Sequence, residues 1–193
     1  VGNAWNNFFF HNNGDGSFEK RDQINIANDL SHTFDCAWGD YNNDGFIDLY
    51  LANDGPNQLY RNNGDGSFEK IINGAMVNDS HRSAHCVWGD YDNDGDLDII
   101  YSGLDGNIKT IKLYNNSNGS FIEINQSFEP YIQGTIQWQD YDNDGDLDLS
   151  LIGAHDGGPY VHQGKIYLNN KNDSFSEWNV IPETVLYWGD AGD

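Results

Sequence analysis

The sequence predicts an all-β fold of four-stranded antiparallel meanders, packed as the blades of a β-propeller. Three observations carry this reading. An acidic loop recurs at a fixed period, short runs of strand character lie between its copies, and a hairpin with aromatic ends recurs beside it. The clearest loop runs Trp88-Gly-Asp-Tyr-Asp-Asn-Asp-Gly-Asp-Leu-Asp-Ile99. Asp40-Tyr-Asn-Asn-Asp-Gly-Phe-Ile-Asp48 and Asp140-Tyr-Asp-Asn-Asp-Gly-Asp-Leu-Asp148 flank it, and a fourth copy begins at Trp188-Gly-Asp190. The first aspartates fall at 40, 90, 140 and 190, a period of 50 residues. One domain over residues 1–193 is expected, with repeat units near 1–30, 31–80, 81–130 and 131–180 and a partial repeat at 181–193.

Within the unit at 31–80, the first strand is expected from Phe34 to Trp38, and the acidic loop follows it. The second strand spans Leu49 to Ala52 and ends at the turn Asn53-Asp-Gly-Pro56. The third spans Gln58 to Arg61, Asn62-Asn-Gly-Asp-Gly66 turns the chain, and the fourth spans Phe68 to Ile72. The last hairpin recurs as Phe10-His-Asn-Asn-Gly-Asp-Gly-Ser-Phe18, Tyr60 to Phe68, Tyr114 to Phe121 and, more loosely, Tyr167 to Phe175. A small meander cannot bury both faces alone, so neighbouring sheets must pack face to face. Trp38, Trp88, Trp138 and Trp188 are expected to fill the space between them. The chain supplies fewer second strands than first, third or fourth ones. A segment of a larger propeller is therefore expected, with a four-bladed ring lacking one strand as the alternative.

Composition narrows the function. With 31 acidic against 9 basic residues the formal net charge is −22, which disfavours nucleic acid and anionic membranes as partners. No apolar run approaches the ~20 residues that span a bilayer, so membrane insertion is not expected, and Val1-Gly-Asn-Ala-Trp-Asn lacks the basic and apolar regions of a signal peptide. Cys36 and Cys86 hold equivalent places before Trp38 and Trp88, where the later copies carry Ile136 and Leu186. Aliphatic replacement of this kind points to buried free thiols.

The loop chemistry is that of a hard cation. Asp90, Asp92 and Asp94 occupy positions 1, 3 and 5 of a D-x-D-x-D-G loop, Gly95 allows the sharp turn at position 6, and Asp98 returns at position 9. Four like charges folded together repel strongly without a counter-charge. Calcium suits an all-oxygen site with flexible angles better than magnesium does, and no Cys or His enters the loop to favour zinc. Three filled loops would return +6 and leave about −16.

The W-G-D-Y-D-N-D-G-D-L-D-I stretch, together with L-Y-R-N-N-G-D-G-S-F in the preceding unit, resembles the FG-GAP/VCBS repeat family. Members of that family form calcium-bearing β-propellers such as the integrin α-subunit head. The resemblance implies a first site of Asp40, Asn42, Asp44 and Asp48 side chains with the Phe46 carbonyl. It implies a second of Asp90, Asp92, Asp94 and Asp98 with the Asp96 carbonyl, and a third of Asp140, Asp142, Asp144 and Asp148 with the Asp146 carbonyl. Since position 7 serves through its backbone, its side chain is expected to matter little. Asp190-Ala-Gly-Asp193 has Gly192 where a ligand belongs, so no complete fourth site is expected.

At the rim opposite the loops irregular connections are expected at 29–33, 78–83, 102–107 and 153–160, the usual place for binding residues. His32, His81, Arg82, His155 and Asp156 are the candidate ligand-binding residues there, with His85 and His162 nearby. A non-catalytic module for adhesion, glycan or protein recognition, or extracellular assembly with copies of itself is expected. The alternative is a polysaccharide lyase or hydrolase, or its accessory domain, using the rim His and Asp residues. No G-x-S-x-G, H-E-x-x-H, P-loop or C-x-x-C motif is present, which favours the non-catalytic reading. The N-x-S sequons at Asn78, Asn115, Asn118, Asn125 and Asn172 are possible glycosylation sites of a secreted protein.

Overall fold

The computed structural model describes residues 7–79, 82–154 and 162–181. A hairpin of β1 (Phe10–Asn12) and β2 (Phe18–Lys20) comes first, and one helical turn, α1 (Asn25–Asn28), follows it. The first four-stranded sheet contains β3 (Thr33–Gly39), β4 (Asp48–Asn53), β5 (Gln58–Asn62) and β6 (Phe68–Ile71). A second turn, α2 (Ala75–Asn78), leads to β7 (Arg82–Gly89), β8 (Asp98–Asp105), β9 (Ile108–Ser117) and β10 (Ser120–Ile124). The third sheet contains β11 (Ile132–Gln139), β12 (Asp148–Ala154), β13 (His162–Asn169) and β14 (Phe175–Ile181). In every sheet the spatial order is the chain order and all pairs are antiparallel, so each is a meander. The described residues thus form three four-stranded sheets and one hairpin, and show no closed ring.

The strands of the unit at 31–80 fall where the sequence places them. Two features differ. The connections before the first and second sheets carry the helical turns α1 and α2, whose Ile26, Met76 and Val77 are buried. The segment 102–107, read as a loop from its Gly and Asp content, instead continues the β8–β9 ladder, with Ser102 opposite Ile111 and Asp105 opposite Ile108. Only Gly106 and Asn107 turn the chain, and Gly106 has the positive φ of 60 that a two-residue hairpin turn favours. Gly103 fits mid-strand because the Arg82–Ser83 backbone presses on it and leaves no room for a Cβ.

Side chains alternate across a strand, so a strand sandwiched between sheets must be apolar on both faces. In β4 every residue is buried. Leu49 and Leu51 pack with Ile26 and Phe9, while Tyr50 and Ala52 pack with Ile99, Tyr101 and Tyr114 of the second sheet. From the other face of the second sheet, Ile100 and Leu113 meet Leu149, Leu151 and Tyr167 of the third. The sheets are therefore stacked face to face. Trp88 lies parallel to Tyr41 at 6.4 Å and donates Nε1–H to the Ala37 carbonyl at 3.1 Å. Trp138 lies parallel to Tyr91 at 6.0 Å. These two fill the intersheet space as expected, and they rest on glycine: a Cβ on Gly89 would stand 2.5 Å from the Trp138 ring. Trp38 departs from that expectation. It packs on Phe9 and Phe68 with 47% of its surface exposed. Trp188 lies outside the described residues. Both cysteines are free thiols, Cys86 buried and Cys36 half-buried. Among the described residues no helix is long and apolar enough to cross a membrane.

Candidate metal centre

Each acidic loop folds on its own backbone. Asp90 accepts N–H bonds from Asp94 (3.0 Å) and Gly95 (3.1 Å), and Asp94 accepts one from Asp96 (2.8 Å). The same bonds recur in the first loop, from Asp44 and Gly45 to Asp40 and from Phe46 to Asp44, and in the third. The chain passes through the left-handed region twice, at Asn43, Asn93 and Asn143 (φ 56, 60 and 62) and at Gly45, Gly95 and Gly145 (φ 88, 92 and 92). Asn and Gly are the residues that tolerate this conformation best.

The ninth position of each loop opens the next strand. Asp48, Asp98 and Asp148 begin β4, β8 and β12 and are buried. One oxygen of each accepts the N–H of the loop tyrosine, Tyr41, Tyr91 or Tyr141, at 3.3, 3.1 and 2.8 Å. The other accepts the N–H of Asn62, Asn116 or Asn169 at 2.7–2.8 Å. Those asparagines also donate their side-chain amides to the carbonyls of Ile47, Leu97 and Leu147. Asn116 and Asn169 reach back to Tyr41 and Tyr91 of the preceding loop. Tyr60-Arg-Asn62, Tyr114-Asn-Asn116 and Tyr167-Leu-Asn169 carry this pattern in the sequence, where the aromatic residue alone draws attention.

Carboxylate oxygens of Asp90, Asp92 and Asp98 lie within 4.8 Å of one another, and so do those of Asp140, Asp142 and Asp148. The first loop has Asn42 in the corresponding place, with its amide donating to Asp44 at 3.0 Å. Burial pushes the Asp98 carboxyl up to about 7 and Asp48 up to about 6; neighbouring loop aspartates add to the rise against the N–H bonds that lower it. A carboxylate offers about four lone-pair sites, so two N–H donors leave capacity for a cation. The converged donors are all oxygen and carry excess negative charge, which fits a hard divalent ion of the calcium type.

A model of the FG-GAP-like repeat matches residues 1–51 and again residues 40–101, together more than half of the chain. The chain belongs to the FG-GAP-like repeat family. No curated protein matches it. The loops at 40–48 and 90–98 lie within the matched residues. Those at 90–98 and 140–148 bring together Asp triads able to hold a metal ion.

The side chains at position 7 make contacts beyond their own loops. Phe46 is exposed and lies over Gly64. Asp96 and Asp146 are buried. Asp96 accepts from the Asn43 amide (2.6 Å) and from the Asn118 N–H (2.8 Å), while Asp146 accepts from Asn93 (2.8 Å) and pairs with Lys171 (3.1 Å). A carboxylate here reaches the neighbouring repeat, which a reading confined to one loop misses.

At the opposite edge, His32 Nδ1 lies 3.6 Å from Asp54, Arg82 Nε lies 4.0 Å from the same carboxylate, and the Arg82 guanidinium covers Phe34 at 4.8 Å. His85 pairs separately with Asp35 at 3.7 Å. The structure therefore joins His32 and Arg82, while His85 belongs to another pair. His81, His155, Asp156 and the loop at 190–193 lie outside the described residues, as does the Asn78 side chain. Of the other sequons, Asn118, Asn125 and Asn172 are exposed. The Asn115 amide nitrogen donates to Asp92 at 2.7 Å, a bond that a glycan on that nitrogen would remove.

Proposed function

We propose that the chain is a segment of a calcium-stabilised β-propeller that works outside the cell as a non-catalytic recognition or assembly module. The convergence of the Asp triads in loops of a repeated meander is the observation that carries this reading. The ion would be held by Asp40, Asn42, Asp44 and Asp48, by Asp90, Asp92, Asp94 and Asp98, and by Asp140, Asp142, Asp144 and Asp148. The carbonyls of Phe46, Asp96 and Asp146 complete the sets. A bound ion would offset the carboxylate repulsion and fix each strand–loop–strand hairpin. Loops of this kind with affinities of ~10⁻⁴–10⁻³ M suit a calcium-rich extracellular medium. FG-GAP repeats are typically structural or recognition modules, which supports the non-catalytic reading.

The partner is a glycan or protein met by the rim opposite the metal loops. There Phe34 offers an aromatic face with Arg82, His32 and Asp54 around it, a combination of stacking surface and charged hydrogen-bonding groups. The test is a glycan array probed with the full chain in calcium and in chelator. Binding that needs calcium and falls at least about tenfold in Arg82→Ala, with the melting temperature unchanged, supports the rim. Binding unaffected by Arg82→Ala places the ligand elsewhere, and turnover of a polysaccharide overturns the non-catalytic reading.

A further inference from the structure

Asn43 and Asn93 occupy the fourth position of their loops, which supplies none of the proposed ligands. Their side chains bond outside their own loops. The Asn43 amide donates to the Asp96 carboxylate at 2.6 Å and to the Gly95 carbonyl at 3.2 Å. The Asn93 amide donates to the Asp146 carboxylate at 2.8 Å. In both cases the bond runs to the seventh position of the loop one repeat further on. We propose that Asn43 and Asn93 are positioning residues for the metal site of the following repeat, so that each loop's affinity is set in part by the loop before it. The inference rests on the metal reading above.

The physical basis is the hold on residue 96. Its N–H donates to Asp94, its carboxylate is held by Asn43 and by the Asn118 N–H, and the carbonyl before it accepts from Asn43. With side chain and preceding carbonyl both fixed, residue 96 has little freedom to swing its own carbonyl, the group assigned to the ion. Donation from an amide to a carboxylate is a charge-assisted bond, stronger than a neutral one. Groups that hold a metal's ligands commonly change affinity about 10–100-fold when removed. Coupling between two sites is reciprocal, so an ion that orders the loop at 40–48 steadies Asn43 and with it the loop at 90–98. The first loop differs because Phe46 has no acceptor to receive such a bond, which leaves it outside the relay on that side.

Amide NMR of the full chain during a calcium titration reads each loop separately. Gly45, Gly95 and Gly145 each donate N–H to the first aspartate of their own loop and serve as reporters. Asn43→Gly keeps the left-handed backbone and removes only the side chain. It is expected to weaken the calcium response at Gly95 about tenfold while Gly45 and Gly145 move by about twofold or less. Asn93→Gly should shift Gly145 in the same way. An unchanged Gly95 midpoint in Asn43→Gly, or equal shifts at all three glycines, would reduce the bond to a tie between sheets and overturn the inference. If calcium moves none of these amides in the unaltered chain, the metal reading itself fails and the inference falls with it.

Discussion

Chelation is expected to lower the thermal midpoint of this chain by on the order of 10–30 °C relative to about 10 mM calcium. Sites of ~10⁻⁴–10⁻³ M are then filled to about 10–100 times their dissociation constant and contribute ~1.4–2.7 kcal/mol each, so the three loops together contribute ~4–8 kcal/mol. For a chain of this size 1 kcal/mol moves the midpoint by about 2–4 °C. The contribution has a structural route. Asp48, Asp98 and Asp148 begin the buried central strands β4, β8 and β12, and their carboxylates are tied to the third strand of each sheet through Asn62, Asn116 and Asn169. Loosening a loop therefore loosens the sheet behind it. Differential scanning calorimetry in calcium, in chelator and in magnesium measures the effect; a midpoint shared by all three conditions contradicts it.

Asp79→Ala is expected to cost about 3 kcal/mol, a large effect for a polar residue away from the loops. Asp79 accepts hydrogen bonds from Tyr101 and from Tyr114 (3.0 Å) and pairs with Lys112 at 2.8 Å. Its side chain is only 7% exposed, and removing it leaves two hydroxyls and an ammonium group with less than their full complement of partners. Asp29 is the counterpart before the first sheet, bonded to Tyr60 (2.5 Å) and Lys70. Its side chain is 25% exposed, so Asp29→Ala should cost less, and urea unfolding of the two variants measures the difference. Burial alone would raise the Asp79 carboxyl, but the bonds from Lys112, Tyr101 and Tyr114 outweigh it and hold the group below 3.8. A depressed value in the folded state means that the contribution is complete above the unfolded value and fades as pH falls through the folded one. The gap between Asp79→Ala and the unaltered chain should therefore narrow only in acid below about pH 4.

The meander and its loops were legible in the sequence because their signals are local. Alternating runs, an Asn-Gly-rich turn and a D-x-D-x-D-G loop each lie within about ten residues of chain. The clamp around Asp79 was not, although Asp29, Asp79 and Glu129 share the same period of 50 residues. Its partners stand on other strands, and the partners change between repeats. Lys112 joins Asp79 to Glu123, and Lys165 joins Glu129 to Glu177, each from the third strand of its sheet. In the first sheet the third-strand place is Gln58 and the lysine has moved to the fourth strand as Lys70, facing Tyr60 where the other sheets have Glu123 and Glu177. Only the pairing of strands shows that the two arrangements serve one purpose. The reach of Asn43 to Asp96 escaped for the same reason, since it joins residues 53 apart. The Gly and Asp residues of 102–107 favour turns locally, whereas cross-strand pairing with β9 carries 102–105 into the ladder.

Calorimetric titration of the metal-stripped chain with calcium tests the central claim most directly. One ion is expected for each of the loops at 40–48, 90–98 and 140–148, with the first loop weakest because Asn42 replaces a carboxylate and the Phe46 side chain has no acceptor. Asp98→Asn should remove the second loop's ion and leave the others. Saturation at one ion per loop, reduced by one in that variant, is the predicted result. No saturable uptake at about 10 mM calcium, a concentration above the range usual for extracellular loops, or uptake unchanged by Asp98→Asn, would contradict the account.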